Sequence, residues 1–427
     1  MADELKRRDF LKTSLAAAAT AGPAVISARG QNNKVTIGWI GVGTRGNAGI
    51  EWLKKAAPDD VHLKAVCDTY QGYIARAKDR VKTVWGNTPD TYIDYHDLLK
   101  DKSIDAVYIM TPEHLHHDMA IAALNAGKNV YVEKPLAHTI EEGWDIIKAW
   151  KKSGKVCQVG TQNRSSSLYK KAKEMVEQGM IGDVHYVRAF WYRNSPPNDP
   201  AWRYVIPAES TEANTDWPRF LGPAPKRPFD KRRYFQWRLY WDYSGGISTD
   251  LLVHQTDIVN FMLSKTTPAS CMASGAIYRW TDATDDRDTP DTFSAIYEYP
   301  GKLQINYSCY FGNVHYGYGE QLMGNEGTIE VLNRQDLYFH PEVYRGVSDA
   351  VKNKPAIHLN GQKDFGEADG AINHFKNFIQ AVLGREQVIA PPDVGQQAAI
   401  SGHMATLSYK NQKKILWEEK AARYRFV

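Results

Sequence analysis

Three residues in this chain carry side chains suited to taking a proton from a hydroxyl and steadying the charge left behind. They are Lys134, within Glu133-Lys134-Pro135, and Asp250 and His254, four positions apart. Oxidising a secondary alcohol needs a base for the hydroxyl proton and a cation near the developing alkoxide. It also needs a hydride acceptor within about 3 to 3.5 Å of the carbon. His254 suits the base, because unperturbed imidazole titrates near working pH. Asp250, one helical turn earlier, is placed to hold the His254 ring and stabilise its imidazolium. Lys134 suits the cation, with Pro135 fixing the chain so that the lysine points into a crevice. Asp250, His254 and Asp257, with His114 and His116, have a spacing that would allow a metal; nothing requires one, and no metal site is assigned.

The hydride acceptor has its own signature. Val35–Ile40 is a short apolar run, followed by Gly41-Val42-Gly43-Thr44-Arg45-Gly46 and then a helical pattern. Gly41 permits the tight turn off a strand, Gly43 lets backbone approach a pyrophosphate, and Gly46 lets the helix pack close to the sheet. Free N–H groups at the helix start, including those of Thr44 and Arg45, favour the phosphate charge. A second apolar run ends on Asp68, 22 positions beyond Gly46. A carboxylate there can accept both hydroxyls of an adenosine ribose and repels a 2′-phosphate, which favours NAD over NADP. Arg45 is the residue that could reverse that preference.

These groups need elements to hold them. After Asp68 the chain alternates helical stretches with apolar runs at Ala106–Met110, Asn129–Val132 and Val156–Val159. Strands alternating with helices predict a doubly wound parallel sheet over residues 31–160, with ligands in the crevice beyond the strand carboxyl ends. Asp68, Thr111-Pro112-Glu113-His114-Leu115-His116-His117 and Glu133-Lys134-Pro135 should converge there. At least one of those histidines is read as a structural hydrogen-bonding residue. Beyond Thr161 the pattern changes to an α+β unit over residues 161–427. Alternating runs from Ser270 to about Val331 predict an antiparallel sheet, and helices over about 371–383 and 396–411 close the chain. Between Asn194 and Ser244 runs a long stretch rich in proline and aromatics, ending near Trp241. Flat rings stack on the C–H faces of sugars, so Trp241 is a candidate substrate contact, with Arg164, Arg193 and Lys226-Arg227 open either to substrate hydroxyls or carboxylates or to solvent alone.

The 427 residues carry a net charge of +4 with both signs interspersed, which argues against a nucleic-acid partner. Cys67, Cys157, Cys271 and Cys309 are widely separated and read as buried free thiols. Residues 1–30 differ from the rest: Lys6-Arg7-Arg8-Asp9-Phe10-Leu11-Lys12 precedes a small-residue apolar run from Leu15 to Val25. That run is too short to span a bilayer as a mature anchor. The paired arginines read as a twin-arginine export signal, which predicts a periplasmic or otherwise exported protein without an integral membrane segment.

Taken in order, Gly41-Val42-Gly43-Thr44-Arg45-Gly46, Thr111-Pro112, Glu133-Lys134-Pro135 and Asp250-x-x-x-His254 resemble the glucose-fructose oxidoreductase, inositol dehydrogenase and rhizopine catabolism (Gfo/Idh/MocA) family. The resemblance implies a Rossmann domain joined to a second domain whose open sheet serves oligomerisation, here as a homodimer or homotetramer. It implies oxidation or reduction of a sugar or polyol carbon with NAD(H) or NADP(H). It further implies that Glu133 orients Lys134 and that Thr111 and His116 border the nicotinamide, with Pro112 and His114 beside them. An exported enzyme meets no replenished nicotinamide pool, so the expectation is a sugar oxidoreductase with a tightly bound, recycled cofactor. The runner-up is a glycosidase or lyase working by transient oxidation and elimination. A non-catalytic sugar or nucleotide sensor is the third reading, and the presence of Lys134, Asp250 and His254 together argues against it.

Overall fold

The computed structural model describes residues 34–427, apart from 197, 282–284 and 368. The leader expected at residues 1–30 lies outside the described residues. Five short, mostly apolar runs and one short polar segment become parallel strands: β1 (Val35–Ile40), β2 (Val61–Cys67), the polar β3 (Asp90–Tyr92), β4 (Ala106–Ile109), β5 (Asn129–Val132) and β6 (Cys157–Val159). Their order in the sheet is β3-β2-β1-β4-β5-β6. Helices cover both faces, so β1, β4 and β5 read as nearly unbroken apolar runs. The strand order reverses between β1 and β4, which opens a crevice at their carboxyl ends.

The connecting helices are bounded by local chemistry. Helix Ile140–Ser153 starts in a capping box between Thr139 and Glu142 and stops at Gly154, whose φ of +63° suits glycine.

A second sheet of ten strands forms the other layer. It comprises β7 (Val184–Tyr192), β8 (Ser270–Ala276), β9 (Thr292–Tyr299), β10 (Leu303–Tyr310), β11 (Tyr318–Gly324), β12 (Gly327–Leu332), β13 (Asp336–Pro341), β14 (Ile357–Asn360), β15 (Ile415–Glu418) and β16 (Arg423–Phe426). The order is β14-β13-β12-β11-β7-β10-β9-β8-β15-β16, and only β7 and β10 run parallel. Strict alternation places Phe293, Ala295 and Tyr297 of β9 inward, while Ile296 and Met272 face out. Helices Val253–Leu263 and Pro392–Asn411 cover the inner face.

The helix Ala371–Val382, far along the chain, packs on the first sheet and not on the second. Phe375 meets Trp39, Tyr108 and Tyr131, and Phe378 meets Tyr108 and Tyr131, with ring centroids 5.1 to 6.1 Å apart. Trp39 and Tyr108 themselves stack at 4.6 Å. Removing either phenylalanine ring would cost about 3 to 5 kcal/mol. All four cysteines are free and buried. No helix among the described residues is long and apolar enough to cross a membrane.

Candidate active site

A cleft of about 470 Å³ lies where the carboxyl ends of β1, β2, β4 and β5 face the second sheet. Gly41, Gly43, Thr44, Arg45, Asp68, Thr111, Pro112, Glu133 and Lys134 line it from the first side, and Trp191, Arg193, Arg238, Asp250, His254 and Arg334 from the second.

At one end the backbone does the shaping. Gly41 has φ +86°, and a Cβ there would sit 2.8 Å from the Met110 carbonyl. A Cβ on Gly46 would lie 2.0 Å from the Gly41 oxygen, so no other residue fits. A Cβ on Gly43 would have only the Tyr73 ring, at 3.5 Å, as neighbour; its absence widens the floor. Helix Thr44–Ala56 has neither a side-chain cap nor an acidic residue in its first turn, which leaves its N–H groups for an anion. Asp68 closes this end. Its carboxylate accepts from Val42 N–H at 2.8 Å, Tyr70 N–H at 3.0 Å and the Tyr234 hydroxyl at 2.9 Å. Burial pushes its carboxyl up, and these donors oppose that only in part. The cradle therefore fits a dinucleotide, with pyrophosphate on the helix start and a ribose diol at Asp68. Arg45 does not reach toward Asp68: its Nε donates to Glu133 Oε1 at 3.0 Å, and its guanidinium lies over Trp52 at 4.5 Å. Arg76, the cation that does act on Asp68, gives a hydrogen bond to the Val42 carbonyl. That leaves the preference for an unphosphorylated ribose standing.

At the other end the shaping is done by charge. Lys134 follows β5, its bond to Pro135 is cis, and its Nζ donates to the Asp250 carbonyl at 2.5 Å and to Asp250 Oδ1 at 2.9 Å. Arg238 Nε donates to the same Oδ1 at 3.1 Å. Burial alone would raise the Asp250 carboxyl, but Lys134 and Arg238 outweigh it and hold the group well below the usual carboxylate range. Asp250 sits in a π-helical turn, Ser248–Leu252, that leads into helix Val253–Leu263 and presents His254 one turn later. Burial, then Lys134 and Arg334, push the His254 imidazole well below its ordinary value, so it is neutral at pH 7. Its Nδ1 is enclosed without a partner, and its ring lies 6.0 Å from that of Trp191.

Several expectations need correction. Asp250 does not hold the His254 ring; its carboxylate is taken by two cations. Arg164 does not line the cleft: its Nε bonds Asp257 Oδ1 at 2.8 Å in a buried pair. Asp257 thus belongs to that pair, and no group of possible metal ligands occurs among the described residues. Trp241 lies outside the cleft, under Lys410 Nζ at 4.1 Å and beside Tyr409. His114 is buried behind the wall, with Nε2 on the Phe220 carbonyl at 2.8 Å, and burial drives its pKa down to about 3. His116 is a strut between the Pro135 and Thr111 carbonyls, at 2.8 and 3.0 Å. Glu133 accepts from the Lys134 backbone N–H at 3.2 Å, so it acts on the lysine's main chain and on Arg45.

Other lining residues escaped the sequence reading. Glu113 accepts from Gly245 N–H and Thr249 Oγ1, both at 3.0 Å, and so ties the end of β4 to the turn that carries Asp250. It stood within the quoted Thr111–His117 segment. Tyr234, Trp237 and Arg238 come from the aromatic stretch, whose composition marked it without singling them out. Arg334, in the turn between β12 and β13, had no local signal.

Comparison with known proteins agrees with this arrangement. Residues 35–161 match the model of the oxidoreductase family with an NAD-binding Rossmann fold (GFO/IDH/MocA), and residues 219–330 match the GFO/IDH/MocA C-terminal domain. Residues 4–24 match a twin-arginine translocation pathway signal sequence, so the chain carries an export signal of that route. An alpha-N-acetylgalactosaminidase of Shewanella oneidensis is 35% identical over 154 residues, which are 35% of this chain and 33% of that protein. An inositol 2-dehydrogenase/D-chiro-inositol 3-dehydrogenase of Lactiplantibacillus plantarum is 33% identical over 164 residues, 38% of this chain and 45% of that one. The matched region spans between about a third and a half of these curated relatives. Among solved structures, levoglucosan dehydrogenase in complex with NADH and levoglucosan superposes with a TM-score of 0.68 at 19% identity, covering 89% of this chain and 98% of that one, a likeness of fold. The two matched domains together take in more than half of the sequence, and the chain belongs to the GFO/IDH/MocA family of NAD-binding oxidoreductases.

Proposed function

We propose that this protein oxidises a hydroxyl of a sugar, polyol or glycoside, with Lys134, Asp250 and His254 as the catalytic residues. One observation carries the proposal: the Lys134 ammonium is held by Asp250 beside a neutral His254, in a cleft continuous with the glycine turn and Asp68. An ammonium has three hydrogens, and Asp250 takes two of them, so the third is left for a substrate oxygen. Lys134 thereby steadies negative charge as it develops on that oxygen. His254 accepts the hydroxyl proton at Nε2, the nitrogen the protein does not enclose. Arg238 keeps Asp250 ionised and turned toward the lysine. The Gly41–Gly46 turn and Asp68 would hold NAD, which would supply the acceptor for the hydride.

Export by the twin-arginine route, read here as delivery to the periplasm, favours a cofactor loaded before export and restored within each cycle. Denaturing the purified mature protein and assaying the released nucleotide tests this: about one NAD(H) per chain is the expected result. Turnover of sugars without added NAD should follow. Activity that appears only with added NAD would instead mark an ordinary dehydrogenase. The galactosaminidase relative favours a second reading, in which transient oxidation enables elimination of a glycosidic group. Release of an aglycone from an aryl glycoside without added NAD would select it. Assembly into a homodimer or homotetramer through the outer face of the second sheet, where Ile296 and Met272 are exposed, completes the proposal. Light scattering would read its mass.

A further inference from the structure

Two guanidinium groups meet one indole on the second wall of the cleft. Arg193, just after β7, has its Cζ 5.1 Å from the Trp191 ring centroid, and Arg334 has its Cζ 5.3 Å from the same ring and 5.4 Å from that of Tyr318. Trp191 stacks on Tyr318 at 4.4 Å, and the whole group lies one ring away from His254. Trp191, Arg193 and Arg334 all line the cleft.

Every other cation here is spoken for. Arg45 has Glu133, while Lys134 and Arg238 share Asp250. Neither Arg193 nor Arg334 forms an ion pair among the described residues, and Arg334 Nη2 is enclosed without a hydrogen-bond partner. The carboxylate that acts on Arg334 from behind, Glu320, is hydrogen-bonded by the Tyr169 hydroxyl at 2.7 Å and is not within ion-pair range. Arg334 is also held at a backbone cost. It and Asn333 take φ of +57° and +52°, left-handed values that side chains rarely adopt. Two like charges beside one ring line the cleft with no carboxylate in ion-pair range, Asp250 acting on Arg193 only at longer distance, and are complementary to an anion. A carboxylate fits them best, since a guanidinium fork matches its two oxygens.

We propose that the substrate is an acidic sugar, a uronic acid or a glycoside of one, with its carboxylate on Arg193 and Arg334 and its ring against Trp191. The proposal rests on the hydroxyl-oxidation reading for the placement of the reacting carbon at Lys134 and His254. It is tested on the nucleotide-loaded protein by calorimetric binding of methyl glucuronide and methyl galacturonide against methyl glucoside and methyl galactoside, with oxidation followed in parallel. At least one uronide is expected to bind about 30-fold tighter than its neutral counterpart. The double variant Arg193→Gln/Arg334→Gln should lose that preference while keeping its nucleotide content, and each single variant should lose about 5-fold. Neutral glycosides binding as tightly as uronides in the unmodified protein would overturn the proposal, as would a preference that survives the double variant. A uronide preference with no oxidation of any probe would sustain the carboxylate site and defeat the oxidoreductase reading instead.

Discussion

The two walls of the cleft are built by different rules. On the first, the ligand-facing groups are largely backbone, a glycine turn, an uncapped helix start and strand ends, joined by the side chains of Asp68 and Lys134, all drawn from residues 41–135. On the second they are side chains gathered from positions as distant as Trp191, Arg238, Asp250 and Arg334. Backbone geometry admits almost no substitution, because a Cβ at Gly46 collides with main chain. Side-chain charge can be retuned one residue at a time without disturbing the sheet beneath it. A family that keeps one cofactor while changing substrates would be expected to divide its site in this way.

The contrast can be broken at Lys134, which belongs to the first wall and works with the second. Lys134→Ala should lower turnover by about 10³-fold, close to 4 kcal/mol, while bound nucleotide stays at the unmodified level. Loss of nucleotide as well would mean that the lysine serves the cofactor wall alone. Arg164→Leu sharpens the distinction between the cleft and its support. It strands Asp257 in the interior and should cost at least about 3 kcal/mol in chemical denaturation, with the KM of the residual folded enzyme unchanged. A rise in KM would return Arg164 to the substrate.

Glu320 tests whether the second wall carries stored electrostatic cost. Burial raises its pKa to about 7 from an unfolded value of 4.5. The folded state therefore holds the proton more tightly than the unfolded one. That penalty is absent below about pH 4.5, grows as pH rises, and is complete above about pH 7. Glu320→Gln should thus stabilise the protein by up to about 3 kcal/mol at pH 8 and by nothing near pH 4.5, measured as paired denaturation curves. The smallest effect belongs to the first wall. Asp68→Asn should weaken NAD by some 30-fold, about 2 kcal/mol, and narrow its advantage over NADP in competition binding. An unchanged ratio would move nucleotide selection away from Asp68.

How much of this was readable beforehand follows from the same division. The parallel sheet, the glycine turn and Asp68 were legible because each is specified by neighbours within one strand-turn-helix unit. Alternation likewise disclosed the antiparallel sheet between Ser270 and Val331. The strands β13 to β16 went unread although β12–β13 and β15–β16 are hairpins: β14 to β16 have only four residues each, and polar and charged residues such as Asp336, His340, Arg423 and Arg425 blur their apolar alternation. Arg164 and Trp241 misled because their residue types suit a sugar site, and type alone does not say which way a side chain turns. Asp250 and His254 were found together by spacing, yet their mutual geometry was not. The cations that claim Asp250 come from 12 and 116 positions away. Arg334 was silent, since a polar turn between two strands looks like any other.

The helix Ala371–Val382 has a consequence for how the protein is made. Trp39, Tyr108 and Tyr131 form an aromatic surface on the nucleotide sheet that Phe375 and Phe378 cover. During translation that surface emerges long before its cover, so the cofactor-binding half stays incomplete, with apolar rings open to water, until residue 382 has left the ribosome. Stable loading of the nucleotide then waits on residues 371–382, and the aromatic surface stays exposed throughout that interval. For a chain bearing a signal of the pathway that transports folded proteins, the same aromatic seam ties folding of the nucleotide half to the arrival of helix Ala371–Val382.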